Sequence, residues 1–454
     1  MFPASSSAAP RGLLETHGRY RGRGFHSVLS NRRYELDRCG VHEADALLAL
    51  VEDSFKESAL RWFISEADRA RIVVESTEYA GPLPSPPAPP ARSRCGLDTV
   101  VSLIPTGIGC SVGGYAGDAA PITALLAQAA DLVVTNPNAL NASNFIRTGE
   151  RVLYTEGSCI DSFARGAISL HRSRGNRIGL IIEGAAPEAV EHVWNVTNAV
   201  RAVHGVDIVD CVVTERPIGT RCVRNESGAY AGRIDAPEVL LDAARGLIDR
   251  GANALAVTTN VQGLTSRDYA AHFTGRHANP VGGAEAVLSH LLVRTLGVPA
   301  AHAPMMNFKN LKLDHSVVDA RSAGEIVSVS GLACILIGLA NAPQISPVSR
   351  GSRLAEEVGF GDVVAVVSPA DALGGVPVLE ALRQRIPVIA VQGNSTLLDV
   401  TAAALGLPGV VEVANYAEAA GMILALRCGI SPESITRPLR ALGLAGREAV
   451  GNEG

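Results

Sequence analysis

From Thr99 to Val391 the chain alternates between two hydrophobic periods. Short, nearly unbroken apolar runs recur at Thr99–Ile104, Leu132–Thr135, Arg151–Tyr154, Ile178–Ile182, Ile208–Val213, Ala254–Thr258, Val298–Ala301, Val363–Val367 and Val388–Val391. Runs of this kind, without polar alternation, read as strands buried on both faces, the habit of parallel sheets. Between them, longer stretches carry apolar residues at helical spacing: Pro121–Ala130, Pro187–Val203, Pro237–Asp249, Glu285–Leu296, Val376–Arg385 and Thr396–Leu405. Strand and helix in alternation predict an α/β fold of parallel, Rossmann-like three-layer sheets. Ligands of such sheets bind beyond the carboxyl ends of the strands, so the turns there are where chemistry is expected.

Before Thr99 the pattern is different. Residues 1–38, rich in Ser, Gly and Arg, read as a flexible tail. Residues 39–81 read as a small α+β appendage: Leu47, Leu48, Leu50, Val51, Phe55, Leu60 and Phe63 have helix-compatible spacing, and Ile72-Val73-Val74 is strand-like. The proline-rich tract at 82–95 excludes helix and reads as a linker. A main α/β domain is then expected over 96–345 and a second α/β lobe over 346–454, with the Pro-, Ser- and Gly-containing stretch Ser346–Ser352 between them. Ala320–Leu339, small and apolar, predicts a buried helix crossing between the lobes.

Composition narrows the partners. A chain of 454 residues has room for more than one core, and with 47% hydrophobic but only 4% aromatic residues that core must be Ala, Val, Leu and Ile. The formal net charge of −5 and the lack of a broad basic field disfavour nucleic acid. No apolar run reaches the ~18–20 residues of a membrane helix, so a soluble, cytoplasmic protein with no membrane partner is expected. The Arg- and Ser-containing leader leaves organelle targeting as the alternative. Eight cysteines without a Cys-x-x-Cys pair support neither a zinc ribbon nor a disulfide framework, and reduced thiols are the default. No metal and no cofactor is implied by a diagnostic motif; a homo-oligomer is compatible with the sequence.

Three strand-to-helix turns share a glycine-rich design. The first follows Thr99–Ile104 and contains Thr106, Gly107, Gly109, Gly113 and Gly114; the second is Asn279-Pro-Val-Gly282-Gly283; the third is Gly374-Gly375. Glycine lets backbone N–H groups approach a ligand, and a helix N-terminus adds partial positive charge, so each turn is a candidate anion site. Each also suits a plain tight connection. The first turn misses both the phosphate-loop pattern and the dinucleotide fingerprint, which disfavours classical ATP or NAD binding.

Acid–base candidates lie near these turns. Asp118 suits either an N-cap or proton transfer, and Tyr115 either packing or a hydroxyl donor. Asn136 and Asn138 follow Leu132–Thr135 and suit recognition of ligand oxygens or Asx-turns. Glu156-Gly-Ser-Cys-Ile-Asp161 forms a similar polar rim. His302, just after a strand, is the preferred general base, because histidine titrates near neutral pH. His290 reads as a packed histidine, and a metal set of His290, His302 and Asp314 lacks diagnostic spacing. Cys110 and Cys159 raise a two-thiol proton-exchange arrangement, against the common role of cysteine as a small buried residue.

Two resemblances follow. The segment Gly374-Gly-Val-Pro-Val-Leu-Glu-Ala-Leu-Arg-Gln-Arg-Ile-Pro-Val-Ile-Ala-Val resembles the donor side of a two-lobed glycosyltransferase, which implies a nucleotide-sugar role for Glu380. As a set, Ile104-Pro-Thr-Gly-Ile-Gly, Gly113-Gly-Tyr-Ala-Gly-Asp118, Asn279-Pro-Val-Gly-Gly-Ala-Glu-Ala, Ala301-His-Ala-Pro and the Gly374 segment resemble a family of unknown function described mainly from photosynthetic bacteria and chloroplasts. That resemblance covers about Leu97 to Asp399 and implies an α/β enzyme with no assigned catalytic residues. The leading expectation is an enzyme acting on a small anionic carboxylate or phosphate by isomerisation, racemisation or elimination. Group transfer from a nucleotide-activated donor and non-catalytic metabolite sensing are the alternatives.

Overall fold

The apolar runs become strands of two parallel sheets, joined in an order that the chain itself does not display. The computed structural model describes residues 29–55, 59–84, 95–114, 118–136, 149–173, 175–185, 187–274, 277–305, 331–348, 357–439 and 441. An N-terminal unit comprises β1 (Leu29–Asp37), α1 (Ala44–Glu52), β2 (Ala59–Ala67) and β3 (Arg71–Tyr79), with the strands antiparallel in the order β1-β3-β2. The first parallel sheet begins with β4 (Thr99–Ser102), α2 (Ala120–Ala129), β5 (Leu132–Thr135), β6 (Val152–Tyr154) and α3 (Gly157–Ala164). The chain leaves it through β7 (Ile168–His171) and builds a second lobe. That lobe contains β8 (Arg177–Ile182), α4 (Pro187–His204), β9 (Asp207–Val213), the hairpin β10 (Thr220–Arg224) and β11 (Tyr230–Ile234), and α5 (Pro237–Asp249). It continues with β12 (Ala254–Thr259), α6 (Ser266–Phe273), α7 (Gly282–Leu296), β13 (Ala300–Pro304) and α8 (Gly331–Ala340). Antiparallel pairing of β14 (Gln344–Pro347) and β15 (Glu357–Val358) with β7 then leads back. The first sheet is completed by β16 (Val363–Pro369), α9 (Val376–Arg383), β17 (Val388–Val391), α10 (Ala402–Leu405), β18 (Val410–Val413), α11 (Tyr416–Arg427) and α12 (Pro432–Ile435).

The first sheet has the order β18-β17-β16-β4-β5-β6 with every pair parallel. Numbered along the chain this is the doubly wound order 3-2-1-4-5-6. The second lobe's sheet, β13-β12-β8-β9, is also fully parallel. The α/β, Rossmann-like expectation therefore stands. The division at 96–345 and 346–454 does not describe this architecture: β4–β6 and β16–β18 form one sheet, and the residues between β7 and β14 form a lobe inserted within it. Val100, Val101, Val366 and Val367 are fully buried where the halves meet. Left alone, β4 would present an unpaired edge, and the partner that covers it comes from far along the chain.

The N-terminal reading also changes. β1 occupies the end of the stretch expected to be a flexible tail, and β2 occupies residues expected to finish a helix. Leu60 and Phe63 fit helical spacing by coincidence, whereas Leu60, Trp62 and Ile64 are buried on one face while Arg61 and Phe63 lie on the other, which is period two. The unit is built into the fold. Ile64 N–H donates to the Gly374 carbonyl at 3.0 Å, Arg38 donates to the Leu405 carbonyl at 2.6 Å, and Asn31 donates to the Gly232 carbonyl at 3.1 Å.

The glycine turns make close backbone contacts, between the lobes at Gly107 and within the inserted lobe at Gly283. Tyr230 N–H donates to the Gly107 carbonyl at 2.9 Å, and Gly107 has φ +79°. A Cβ on Gly283 would lie 2.3 Å from the Tyr230 carbonyl oxygen, which is main chain and cannot swing away. Gly283→Ala is therefore expected to destabilise the fold by about 1–3 kcal/mol, as other forced overpacking does. Gly421, exposed on α11 with nothing within 4 Å of its would-be Cβ, supplies the contrast: Gly421→Ala should stabilise by ~0.5–1 kcal/mol. Denaturant unfolding of the two variants checks both signs.

Candidate active site

Between β4 and β16 the strand order of the first sheet reverses, and the connections after these strands diverge to open a crevice. A cavity of ≈ 160 Å³ lies there. Pro105, Thr106 and Ile108 after β4 and Gly374-Gly375 before α9 form two of its walls, and Gly282-Gly283 at the start of α7 brings in the third glycine turn. Val281, the N-cap of α7, gives no side-chain cap hydrogen bond to the first-turn N–H groups there, whereas at α9 Pro377 has no N–H and Val378 and Leu379 N–H both donate to the Gly375 carbonyl at 3.1 Å. An apolar cavity of about 150 Å³ accepts benzene, which sets the scale of ligand that fits.

The central polar feature is Glu156, directly after β6, against His290 on α7. Both side chains are buried, and His290 Nδ1 and Glu156 Oε2 are hydrogen-bonded. Glu156 also caps α3, accepting from Ser158 N–H at 2.9 Å, Cys159 N–H at 2.5 Å and the Ser158 hydroxyl at 2.6 Å. Burial pushes its carboxyl up, but His290 and the Ser158 hydrogen bonds outweigh that and hold it below its ordinary value. An ionised Glu156 accepts from a proton-bearing Nδ1 of His290, and Nε2 of the same ring has no hydrogen-bond partner among the described residues. Both residues line the cavity. The arrangement is an imidazole oriented by a carboxylate.

His302, on β13, lines the same cavity in a different state. Its Nε2 lies 2.9 Å from the Thr259 hydroxyl, and Nδ1 has no hydrogen-bond partner among the described residues, with Glu285 Oε1 3.9 Å away. Desolvation by burial lowers its pKa to about 3. His302 therefore stands as a neutral imidazole, suited to hydrogen bonding with a ligand and poorly suited to accepting a proton at neutral pH.

The other expected residues separate. Asn136 lines the cavity, and it ties down the end of β4 by accepting from Ile104 N–H at 2.9 Å and donating to the Ile104 carbonyl at 2.5 Å. Gly107 and Gly109 shape the first turn through positive φ, and Gly114 packs on Cys110. Asp118 accepts from Gly113 N–H, so it closes the loop on itself; it does not cap α2 and is not in the cavity wall, and burial raises its carboxyl. Asn279 accepts from Val281 N–H at 3.0 Å, and Glu380 on α9 is bound by Arg383 at 2.7 Å; neither is in the wall. Cys110 and Cys159 are buried outside the wall, with thiols pushed up by burial, so no two-thiol pair faces the cavity. Tyr115, Asn138, Asp314 and most of the stretch 320–339 lie outside the described residues.

In the sequence His290 reads as a packed histidine and Glu156 as part of a polar rim, while Arg61 and Glu75 carry no sign of a site. Glu156 had a signal in its position after a strand; His290 lies on a helix with no local signature. Arg61 and Glu75 belong to the N-terminal unit, whose strand β2 was itself misread. They bring an arginine and a further carboxylate to the cavity wall.

A family profile described as protein of unknown function (DUF3326) matches residues 99–436, from β4 past α12. The chain belongs to this family. A curated relative is an uncharacterized lipoprotein of Synechococcus sp. (strain ATCC 27144 / PCC 6301 / SAUG 1402/1), 36% identical over 343 residues, which are 74% of this chain and 93% of the relative. No solved structure gives a significant match. The profile includes both halves of the first sheet and the inserted lobe, and hence Glu156, His290 and His302; the N-terminal sheet lies before it. Among the described residues no helix is long and apolar enough to cross a membrane.

A buried neutral His302 links stability to pH. The unfolded chain binds a proton near the ordinary histidine pKa, ~6.5, whereas the folded protein resists until about pH 3. Its contribution is full above pH ~6.5 and falls as the pH drops, because only the unfolded state gains the proton. By pH ~5 the loss is on the order of 2 kcal/mol. His302→Gln should flatten the decline in unfolding free energy between pH 7 and 5, measured by denaturant titration, relative to the unsubstituted protein.

Proposed function

We propose that the protein is an acid–base enzyme acting on a small carboxylate-bearing metabolite, by isomerisation, racemisation or elimination that begins with removal of a proton beside the carboxylate. The observation that carries this reading is the buried Glu156–His290 pair in the wall of a small cavity at the switch point of a doubly wound sheet. His290 Nε2 takes the proton. The resulting enolate charge is met by the amides at the start of α7 and by hydrogen bonding from His302 held neutral beside Thr259. Glu156 keeps the imidazole in its working tautomer and offsets the positive charge it acquires.

Size favours this chemistry over group transfer from a nucleotide-activated donor. A cavity of ≈ 160 Å³ is below the ~300–1,000 Å³ of drug-sized ligand sites. Glu380, the residue a donor ribose would need, is occupied by Arg383. All eight cysteines are free thiols, which supports a reducing compartment such as the cytoplasm, although the Synechococcus relative carries the name lipoprotein.

The test is solvent exchange. Incubated in D₂O with a panel of small carboxylic acids, the protein should catalyse deuterium incorporation next to the carboxylate, read by proton NMR. His290→Gln should lower the exchange rate by about 100-fold or more, the usual weight of a general base. Glu156→Gln should lower it as well. Absence of exchange across the panel, or exchange undiminished in a folded His290→Gln protein, overturns the proposal; binding without turnover would instead support a sensor.

A further inference from the structure

The polar side chains that the N-terminal sheet turns toward the cavity include one of each charge. In the β2–β3 register Arg61 faces Thr77 and Phe63 faces Glu75, which places all four on one side of the sheet, opposite the buried face of Leu60, Trp62 and Ile64. All four line the cavity. Arg61 and Glu75 are diagonal neighbours, at a spacing of about 7–8 Å between positions in an antiparallel pair.

They do not pair with each other. Arg61 Nε is held by Asp161 Oδ2 at 3.3 Å, and its guanidinium lies over the start of α3, where a Cβ on Gly157 would come within 2.5 Å of Nη1. Its other nitrogens form no hydrogen bond among the described residues. Glu75 is 2% exposed; Oε2 accepts from Asn225 Nδ2 at 2.5 Å, while Oε1 is buried and has no partner among the described residues. Leaving a carboxylate oxygen in that state is costly unless a ligand supplies a donor. Arg61 offers a planar fork suited to a carboxylate.

The remaining charge in the wall argues against a purely anionic ligand. Glu156 is committed to His290 and α3, and Asp161 already stands against the single arginine of the wall, so the unpartnered Glu75 Oε1 is left for a cationic group of the ligand. We infer that the N-terminal sheet is the substrate-selecting wall of this site, and that it selects a small zwitterion, an α-amino acid or close analogue, with the carboxylate on Arg61 and the ammonium on Glu75. Arg61 and Glu75 are specificity-determining residues supplied from outside the family match, which begins at residue 99. The site itself rests on the acid–base reading, but recognition of the zwitterion can be measured without turnover.

The experiment is a ligand panel on the full-length protein by thermal shift and calorimetry: small free α-amino acids, their N-acetyl counterparts, which lack the cation, and their amides, which lack the anion. Free amino acids should stabilise the protein and bind at least about 10-fold more tightly than either derivative, the scale on which one unpaired charged hydrogen bond is felt. Glu75→Gln should remove the preference over the N-acetyl forms, and Arg61→Gln the preference over the amides. His290→Gln should still bind amino acids while losing exchange. N-acetyl forms binding as well as free amino acids, no stabilisation by any amino acid at millimolar concentration, or stabilisation by divalent cations alone that Glu75→Gln abolishes would each overturn the inference. If either variant fails to fold, the panel on the unsubstituted protein still decides. Exchange confined to non-zwitterionic acids would leave the acid–base reading standing and this inference fallen; zwitterion binding without exchange would do the reverse.

Discussion

A carboxylate removed from water needs compensation on every side, and Glu156 obtains it from both lobes at once. Its own lobe supplies the N–H groups at the start of α3, and the inserted lobe supplies His290 from the middle of α7. Breaking a buried pair of this kind leaves an uncompensated charge, which is far more damaging than the pair is stabilising. The interaction therefore fixes α7 against α3. That in turn positions the Gly282-Gly283 turn opposite the turns after β4 and β16, and so defines the cavity.

The glycines take part in the same constraint. They were read as openings through which backbone amides reach a ligand, and three of the turns do border one cavity. Their immediate neighbours, however, are protein main chain: Gly283 against Tyr230, Gly374 against Ile64, and Gly107 joined to Tyr230. Their first physical role is to let segments approach until side chains would collide. The start of α7, which has no side-chain cap, is brought to the cavity wall by that packing. One residue type thus serves closure of the interface and the polarity of the site together.

The second lobe shows how a similar switch point can be filled by the protein itself. Between β8 and β12 the buried carboxylate of Glu183 accepts from Ile218 N–H at 2.6 Å, Gly219 N–H at 2.8 Å and Asn260 N–H at 2.6 Å. Amides that would suit an external anion are already satisfied there. Among the described residues no carboxylate accepts three such N–H groups at β4 and β16, and the first sheet meets the N-terminal sheet there, with Arg61 and Glu75 turned inward. A unit that reads in sequence as an appendage is in this way part of the wall.

By itself the sequence determined the local elements. Unbroken apolar runs such as Leu132–Thr135 and Val388–Val391 became strands at the expected bounds, and Pro237–Asp249 became a helix at its expected bounds. Burial on two faces and a proline at a helix start are local properties, so the chain displays them. Weakly patterned β1 and the short strand β15 escaped notice because their pairing partners, not their own residues, make them strands. Only the tertiary structure decided that β4 pairs with β16 across an inserted lobe, that Asp118 closes a loop, and that His290 is the imidazole with a carboxylate behind it. Each of these depends on residues brought together from distant positions. Hydrophobic periodicity specifies which face of an element is buried; it carries no record of what will be buried against it.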